Sequence, residues 1–151
     1  MTLLLRSAQH DDVEAMARMF SRSLRTLTFL PELHTPEEDL AFLRDKVMIE
    51  QRVTIAVQDD AILGLMAETE GWINLLYIDV NHFRCGIGSA LLHAAQNRQS
   101  KLELWCFQKN HRARKFYEKH GFQAIEFTDG HKNEEKEPDI LYSWRRDNHP
   151  G

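Results

Sequence analysis

The chain has 151 residues, with 19 Lys and Arg against 23 Asp and Glu, a formal charge of −4. At 42% apolar and 28% charged it can close a core without staples, so it is not a disordered chain, and it lacks the basic footprint of a non-specific nucleic-acid binder. Cys85 and Cys106 give no disulfide framework and no Cys-x-x-Cys pair, the histidines contain no His-Glu-x-x-His, and no apolar run nears the ~20 residues of a membrane span. The opening Leu3-Leu4-Leu5 is cut by Arg6 and Asp11-Asp12. The expectations are one domain over residues 1–151, no metal, no membrane, no nucleic acid and a cytoplasmic location.

In chain order, Asp11 and Glu14 stand three apart as a helix start, and Val13, Met16, Ala17, Phe20, Leu24 and Leu27 recur at helical steps. Thr35, Pro36 and Glu38 supply an N-cap, an N1 proline and a capping-box glutamate, and Leu40, Leu43 and Val47 continue that face. Strands are expected over Thr54 to Val57, Ile62 to Glu68 and Trp72 to Val80, turned at Asp59-Asp60 and at Gly71. A helix then carries Leu91, Leu92 and Ala95. Lys101 to Phe107 alternates as a strand, Asn110 to Lys119 reads as a helix ended by Gly121, and Phe122 to Phe127 and Ile140 to Trp144 close the chain as strands. The order β, α, α, β, β, β, α, β, α, β, β predicts an α/β (α+β) domain with a mixed sheet. The charged run Lys132 to Asp139 reads as a solvated surface loop, Asn148 to Gly151 as a frayed end, and Trp72, Trp105 and Trp144 as core.

Two segments carry chemistry. Gly86-Ile87-Gly88, between a strand and a helix, is the pattern of a backbone phosphate cradle, because glycines allow close approach and the first helical amides are unpaired. It is neither a Rossmann fingerprint, since Leu91 stands where a third glycine belongs, nor a P-loop. Some twenty residues on comes Asn110-x-x-Ala113-x-x-Phe116-Tyr117-x-x-x-Gly121-Phe122. An amphipathic helix explains Ala113, Phe116 and Gly121 but does not call for Asn110 or the Tyr117 phenol.

With Leu75 to Val80, these two blocks, in this order, resemble the GNAT superfamily of N-acetyltransferases over nearly the whole chain. The resemblance implies a mixed, mostly antiparallel sheet whose central strands splay, with acetyl-CoA as co-substrate between them and no metal. It places the pantetheine arm at backbone groups of Ile78 and Val80, and the pyrophosphate on the amides of Cys85, Gly86, Ile87, Gly88, Ser89 and Ala90. Asn110 then lies along the cofactor path and Tyr117 protonates the leaving thiolate. One departure stands out. The first place of the family's phosphate motif, an Arg or Gln, holds Phe83, so Arg84 supplies the charge from the next position or the amides act alone.

Acyl transfer to an amine needs a deprotonated nitrogen and an acid for the thiol, and a thiol pKa near ~8.5 makes a phenol a usable donor. For the base, Glu68, Glu70 and His34 remain open, as does a water chain. Cys85 sits too far along the cofactor, and Cys106 has no neighbour that would lower its pKa, so direct transfer in a ternary complex is expected over a ping-pong route. The acceptor is a small-molecule or peptide amine, a homodimer stays open, and the alternative is a non-catalytic acyl-CoA-binding or structural member of the fold.

Overall fold

The computed structural model describes residues 2–146; the end expected to fray, Asn148 to Gly151, lies outside them. Seven strands form one sheet: β1 (Leu4–Ser7), β2 (Arg52–Gln58), β3 (Ala61–Thr69), β4 (Trp72–Ile78), β5 (Lys101–Phe107), β6 (Gln123–Phe127) and β7 (Asp139–Arg145). Their spatial order is β1-β2-β3-β4-β5-β7-β6, and all neighbours are antiparallel except the central pair, β4 and β5. The helices are α1 (Val13–Leu24), α2 (Pro36–Phe42), α3 (Ile87–Arg98) and α4 (His111–Lys119). A π-helical turn, Leu43–Val47, and a short helical piece, Met48–Glu50, prolong α2.

Period-2 alternation divides the sheet residues between two cores. On one face Val53, Ile55, Leu65 and Ala67 pack against Val13, Met16 and Phe20 of α1 and against Leu43 and Val47. On the other, Met66, Leu102, Leu104, Ile140, Tyr142 and Trp144 pack against Leu91, Leu92 and Ala95 of α3 and against Tyr117 of α4. The first helical layer is not centred on β5, whose outward side chains are Lys101, Glu103, Trp105 and Phe107. This corrects the reading of three core tryptophans. Trp144 is buried, Trp72 half-buried, and Trp105, on the uncovered face, is 48% exposed.

Local chemistry sets the element ends. Glu38 N–H donates to Thr35 Oγ1 at 3.1 Å and Thr35 N–H to Glu38 Oε1 at 2.9 Å, a capping box at the expected residues. The first helix starts differently from expectation. A 3₁₀ turn, His10–Asp12, precedes it, and its cap is Gln9 rather than Asp11. The Asp12 carboxylate accepts from Gln9 N–H at 2.7 Å and is held by Arg6 at 2.9 Å. Helix α1 ends at Leu24, so Leu27 falls in the loop before α2. The Asp59-Asp60 turn has φ of 52° and 65°, the left-handed pair that a tight hairpin requires. Among the described residues no helix is long and apolar enough to cross a membrane, and no group of three or more His, Cys, Asp or Glu is placed to hold a metal ion.

Candidate active site

The central strands meet at a single register point, Trp72 opposite Glu103. Glu103 N–H donates to Gly71 carbonyl at 2.8 Å. Beyond it no register pair joins the two strands, while β4 goes on pairing with β3 and β5 pairs over its whole length with β7. The facing edges of Asn74 to Ile78 and of β5 therefore carry backbone groups with no ladder partner, a ready template for an extended ligand. At the end of β4, Asp79 N–H pairs with the Leu63 carbonyl of β3 at 2.8 Å, while the Ile78 carbonyl points the opposite way and accepts from Ser23 Oγ at 2.8 Å.

Strand β4 ends at Ile78, two residues earlier than the sequence pattern indicates, because the buried Asp79 starts the turn. Its carboxylate accepts from Asn81 N–H at 3.1 Å and lies 2.7 Å from His82 Nδ1. Val80 is therefore a turn residue. The turn runs through Arg84 (φ 68°) and Gly86 (φ 81°) into α3. Gly86 is the N-cap of α3, offers no capping side chain, and has open space where a Cβ would stand. The first amides of α3 are thus left for a ligand, and they fit a phosphate group. Gly88 has a different role: a Cβ there would stand 3.2 Å from Phe116 Cζ. Cys85 is exposed. Ser89 Oγ lies 3.0 Å from His120 Nε2, whose Nδ1 is 2.8 Å from the Phe116 carbonyl. A carbonyl only accepts, so Nδ1 carries the proton and Ser89 donates to Nε2. Ala90 N–H closes the first turn onto Gly86 carbonyl at 3.0 Å.

The missing motif cation has a neighbour that the sequence reading passed over. The Arg112 guanidinium lies over the Phe83 ring, 4.2 Å from its centroid. Among the described residues neither Arg84 nor Arg112 is paired with a carboxylate. Two free cations therefore flank the turn, one in it and one from the start of α4. The only sequence signal for the second was its place two residues after Asn110.

Asn110 caps α4, its Oδ1 accepting from Ala113 N–H at 3.2 Å. Tyr117 is the buried residue of that helix, while Phe116 is only partly covered. Both rings belong to the core on the α3 side of the sheet, Tyr117 the more deeply buried of the two. The Tyr117 ring packs on Phe116, Phe122 and Tyr142. Burial pushes its phenol well above the ordinary value, and the fields of Cys106 and Tyr77 add to the shift. Tyr117 shares its core with Leu102, Leu104 and Cys106 of β5 and with the partly buried Leu76 and Ile78 of β4, so the ring lies beneath the parting strands. Burial also raises the Cys106 thiol to about 12 and the Tyr77 phenol to about 12, the latter with a contribution from the Glu135 carboxylate.

The candidate bases are not brought to this place. Glu68 is buried in an ion pair with Arg98 of α3 and sits opposite Ile73, at the end of β4 where the central strands still touch. Glu70 is exposed in the β3–β4 turn with φ 46°. His34 lies in the segment between α1 and α2, its Nε2 2.5 Å from Glu134 Oε1 in the β6–β7 loop. That loop is more ordered than a solvated run: Asn133 Nδ2 donates to Glu137 carbonyl at 2.8 Å and to Asp139 Oδ2 at 3.1 Å. Phe29 meets Phe107 at the end of β5, ring centroids 5.9 Å apart. Under the segment after α1 lies a cavity of about 210 Å³. Leu24, Leu27, Leu30 and Leu33 give it an apolar wall, with Glu32 and Glu135 as its acids.

Residues 50–124 match the family model described as an acetyltransferase (GNAT) domain. The chain is 24% identical over 142 residues to the peptidyl-lysine N-acetyltransferase YiaC of Escherichia coli (strain K12), covering 93% of this chain and 96% of that one. In structure it is similar to apo YjaB from Escherichia coli, with a TM-score of 0.79, 23% identity and coverage of 95% and 98%. It is similar too to PaiA N-acetyltransferase from Thermoplasma acidophilum in complex with coenzyme A, with a TM-score of 0.72, 15% identity and coverage of 96% and 99%. The parted central strands and the uncapped glycine turn thus belong to an acetyltransferase-type fold. The chain is a member of the GNAT superfamily of N-acetyltransferases.

Proposed function

We propose that the protein, acting as one catalytic unit, transfers an acetyl group from acetyl-CoA to a primary amine by direct attack in a ternary complex. The observation that carries this reading is Tyr117, a buried neutral phenol beneath the opening between β4 and β5. The coenzyme A held by PaiA and the lysine acceptor in the name of YiaC support the two substrate classes.

Acetyl-CoA supplies the acyl group as an activated thioester. The first amides of α3, with Arg84 and Arg112, hold its phosphates, and the free edge of β4 near Ile78 and Val80 aligns its extended arm. Amides facing the parted strands stabilise charge on the carbonyl oxygen as nitrogen attacks. As the C–N bond forms and the C–S bond breaks, one proton must pass from nitrogen to sulfur. The Tyr117 hydroxyl gives its proton to sulfur while taking the nitrogen's proton through water, so no phenolate accumulates where burial disfavours it. Cys106 carries no acyl group, because a thiol raised to about 12 is not a thiolate at neutral pH.

The test is thiol release from acetyl-CoA with an amine panel, read together with mass spectrometry for the acetylated amine. Thiol release matched by acetyl-amine supports the reading. Tight CoA binding with no acetylated product from any amine would leave a non-catalytic acyl-CoA binder.

A further inference from the structure

The Ser89 hydroxyl stands at the phosphate turn, yet its hydrogen is committed elsewhere. Ser89 is the third residue of α3, so its N–H is one of the free amides, and a helical Cβ leans toward the helix start. The hydroxyl donates to His120 Nε2, 3.0 Å away, because the Nδ1 hydrogen of that ring goes to the Phe116 carbonyl at 2.8 Å. His120 is the C-cap of α4, and Gln96 Nε2 of α3 donates to its carbonyl at 3.0 Å. Backbone and both ring nitrogens are thus fixed, and the ring ties the end of α4 to the start of α3.

One proton decides whether this hydroxyl can serve an anion. With His120 neutral, Nε2 accepts and Ser89 offers the turn only lone pairs. With His120 protonated, Nε2–H donates to Ser89 Oγ and frees the hydroxyl hydrogen to donate elsewhere. The charged and titratable groups around the pair are His93 of α3, its ring centroid 5.3 Å from that of His120, Arg84 in the turn, and Arg112 and Lys119 on α4. Glu118, two residues before His120, is held by the Tyr142 hydroxyl at 2.6 Å, and Asp79 of the turn by His82. Among the described residues no carboxylate pairs with His93 or His120. A phosphate on the α3 amides would bring the opposite charge that a protonated ring lacks here.

We propose that His120 is a positioning residue for the pyrophosphate of acetyl-CoA, acting by taking up one proton from solvent as the pyrophosphate binds. Its Nε2–H then donates to Ser89 Oγ, and the Ser89 hydroxyl donates to a phosphate oxygen beside the α3 amides. The inference rests on the acetyl-CoA reading above and adds a residue to that site.

The probe is dephospho-CoA, which keeps the pyrophosphate and lacks the 3′-phosphate that would itself titrate near ~6. Calorimetry at about pH 7 in PIPES and in Tris, buffers with different heats of ionisation, counts the protons bound with it. The wild-type chain should take up a substantial fraction of a proton. Its affinity should be about 10-fold tighter at about pH 6 than at about pH 8, the scale of one charge-assisted hydrogen bond. His120→Gln keeps a side chain that can bond Ser89 but takes no proton, so it should bind without uptake and with a flat pH response, while His93→Gln should behave as wild type. Thermal melts check that both variants fold. Imidazole nitrogen NMR follows the same proton with no substitution: the wild-type His120 ring should carry hydrogen on Nδ1 alone in the free protein, and on both nitrogens with dephospho-CoA bound. Three results overturn the inference while leaving the acetyl-CoA reading standing: dephospho-CoA binding with no proton taken up and a neutral His120 ring, uptake that survives His120→Gln, or equal uptake with pantetheine, which has no phosphate. Failure of the wild type to bind either CoA or dephospho-CoA removes that reading and the inference with it.

Discussion

Gly88 of α3 and Phe116 of α4 lie in direct contact, so that a Cβ at position 88 would stand 3.2 Å from the Phe116 ring edge. The two glycines of the turn therefore do separate jobs. Gly86 provides a left-handed φ of 81° with open space beside it, while Gly88 lets two helices approach.

Gly88→Val should lower the melting temperature, because overpacking at such a contact costs about 1–3 kcal/mol. Gly86→Val should cost about 1–2 kcal/mol for the left-handed conformation yet remain folded, and it should weaken CoA by crowding the amides of α3. Thermal melts and CoA calorimetry on both variants check the division. Unchanged CoA affinity in a folded Gly86→Val protein moves the phosphate site elsewhere.

Arg84 and Arg112 should share the charge that Phe83 cannot supply. Each of Arg84→Ala and Arg112→Gln should weaken CoA by about 10-fold, the scale of one charge-assisted contact, and leave the affinity for pantetheine, which has no pyrophosphate, unchanged. Equal losses for the two ligands in calorimetry would make these residues surface cations only.

What the sequence made legible was local. The alternation of Leu102, Leu104 and Cys106 marks β5 within a few residues, and Thr35 with Glu38 marks the start of α2, because each signal repeats within one turn or one pleat. Nothing local says that β4 and β5 pair in register at Trp72 and Glu103 alone, since that is a relation between two segments about thirty residues apart in the chain. The meeting of Arg112 with Phe83, and of Glu135 with the segment after α1, joins positions far apart in the chain. The exposure of Trp105 follows from which half of the sheet α1 and α2 cover, again a tertiary fact. Even inside α4 the choice of Tyr117 over Phe116 as the buried ring was settled by Phe122 and Tyr142, outside the helix.

Glu68→Gln separates structure from catalysis. The carboxylate is buried against Arg98, and removing one partner of a buried pair costs about 3–5 kcal/mol. The variant should melt earlier and, below its melting temperature, turn over at the wild-type rate. A fall in kcat with unchanged stability would return Glu68 to the role of base.

The contact between His34 and Glu134 clasps the segment after α1 to the β6–β7 loop, and it should depend on pH. Hydrogen bonding to Glu134 raises the His34 pKa above 6.5 in the folded state. The contribution is thus full below the unfolded value near 6.5 and is lost as pH rises through the higher folded value. Hydrogen exchange in residues 26–34 should be slower at about pH 6 than at about pH 8 after correction for intrinsic rates. Glu134→Gln should remove that difference. Protection independent of pH would mean that the Phe29–Phe107 contact alone holds the segment.

Tyr117→Phe tests the proton relay most directly. The change removes one oxygen from a ring packed on Phe116, Phe122 and Tyr142, and no hydrogen bond within the protein depends on it among the described residues. Folding and the Kd for acetyl-CoA should therefore hold. The turnover rate should fall by about 10²–10⁴-fold, the usual worth of a positioned acid, where chemistry limits the rate. The loss should shrink for acyl donors whose leaving thiols are more acidic, since these depart with less help. The pH profile carries a second signature. Burial raises the phenol above its ordinary value, so it stays protonated across the working range. The wild-type rate should then rise with pH as the acceptor amine loses its proton, with no downturn from Tyr117 below about pH 10. A Tyr117→Phe enzyme with wild-type kcat on a confirmed substrate would leave this ring as packing, and the proton would reach sulfur through water alone.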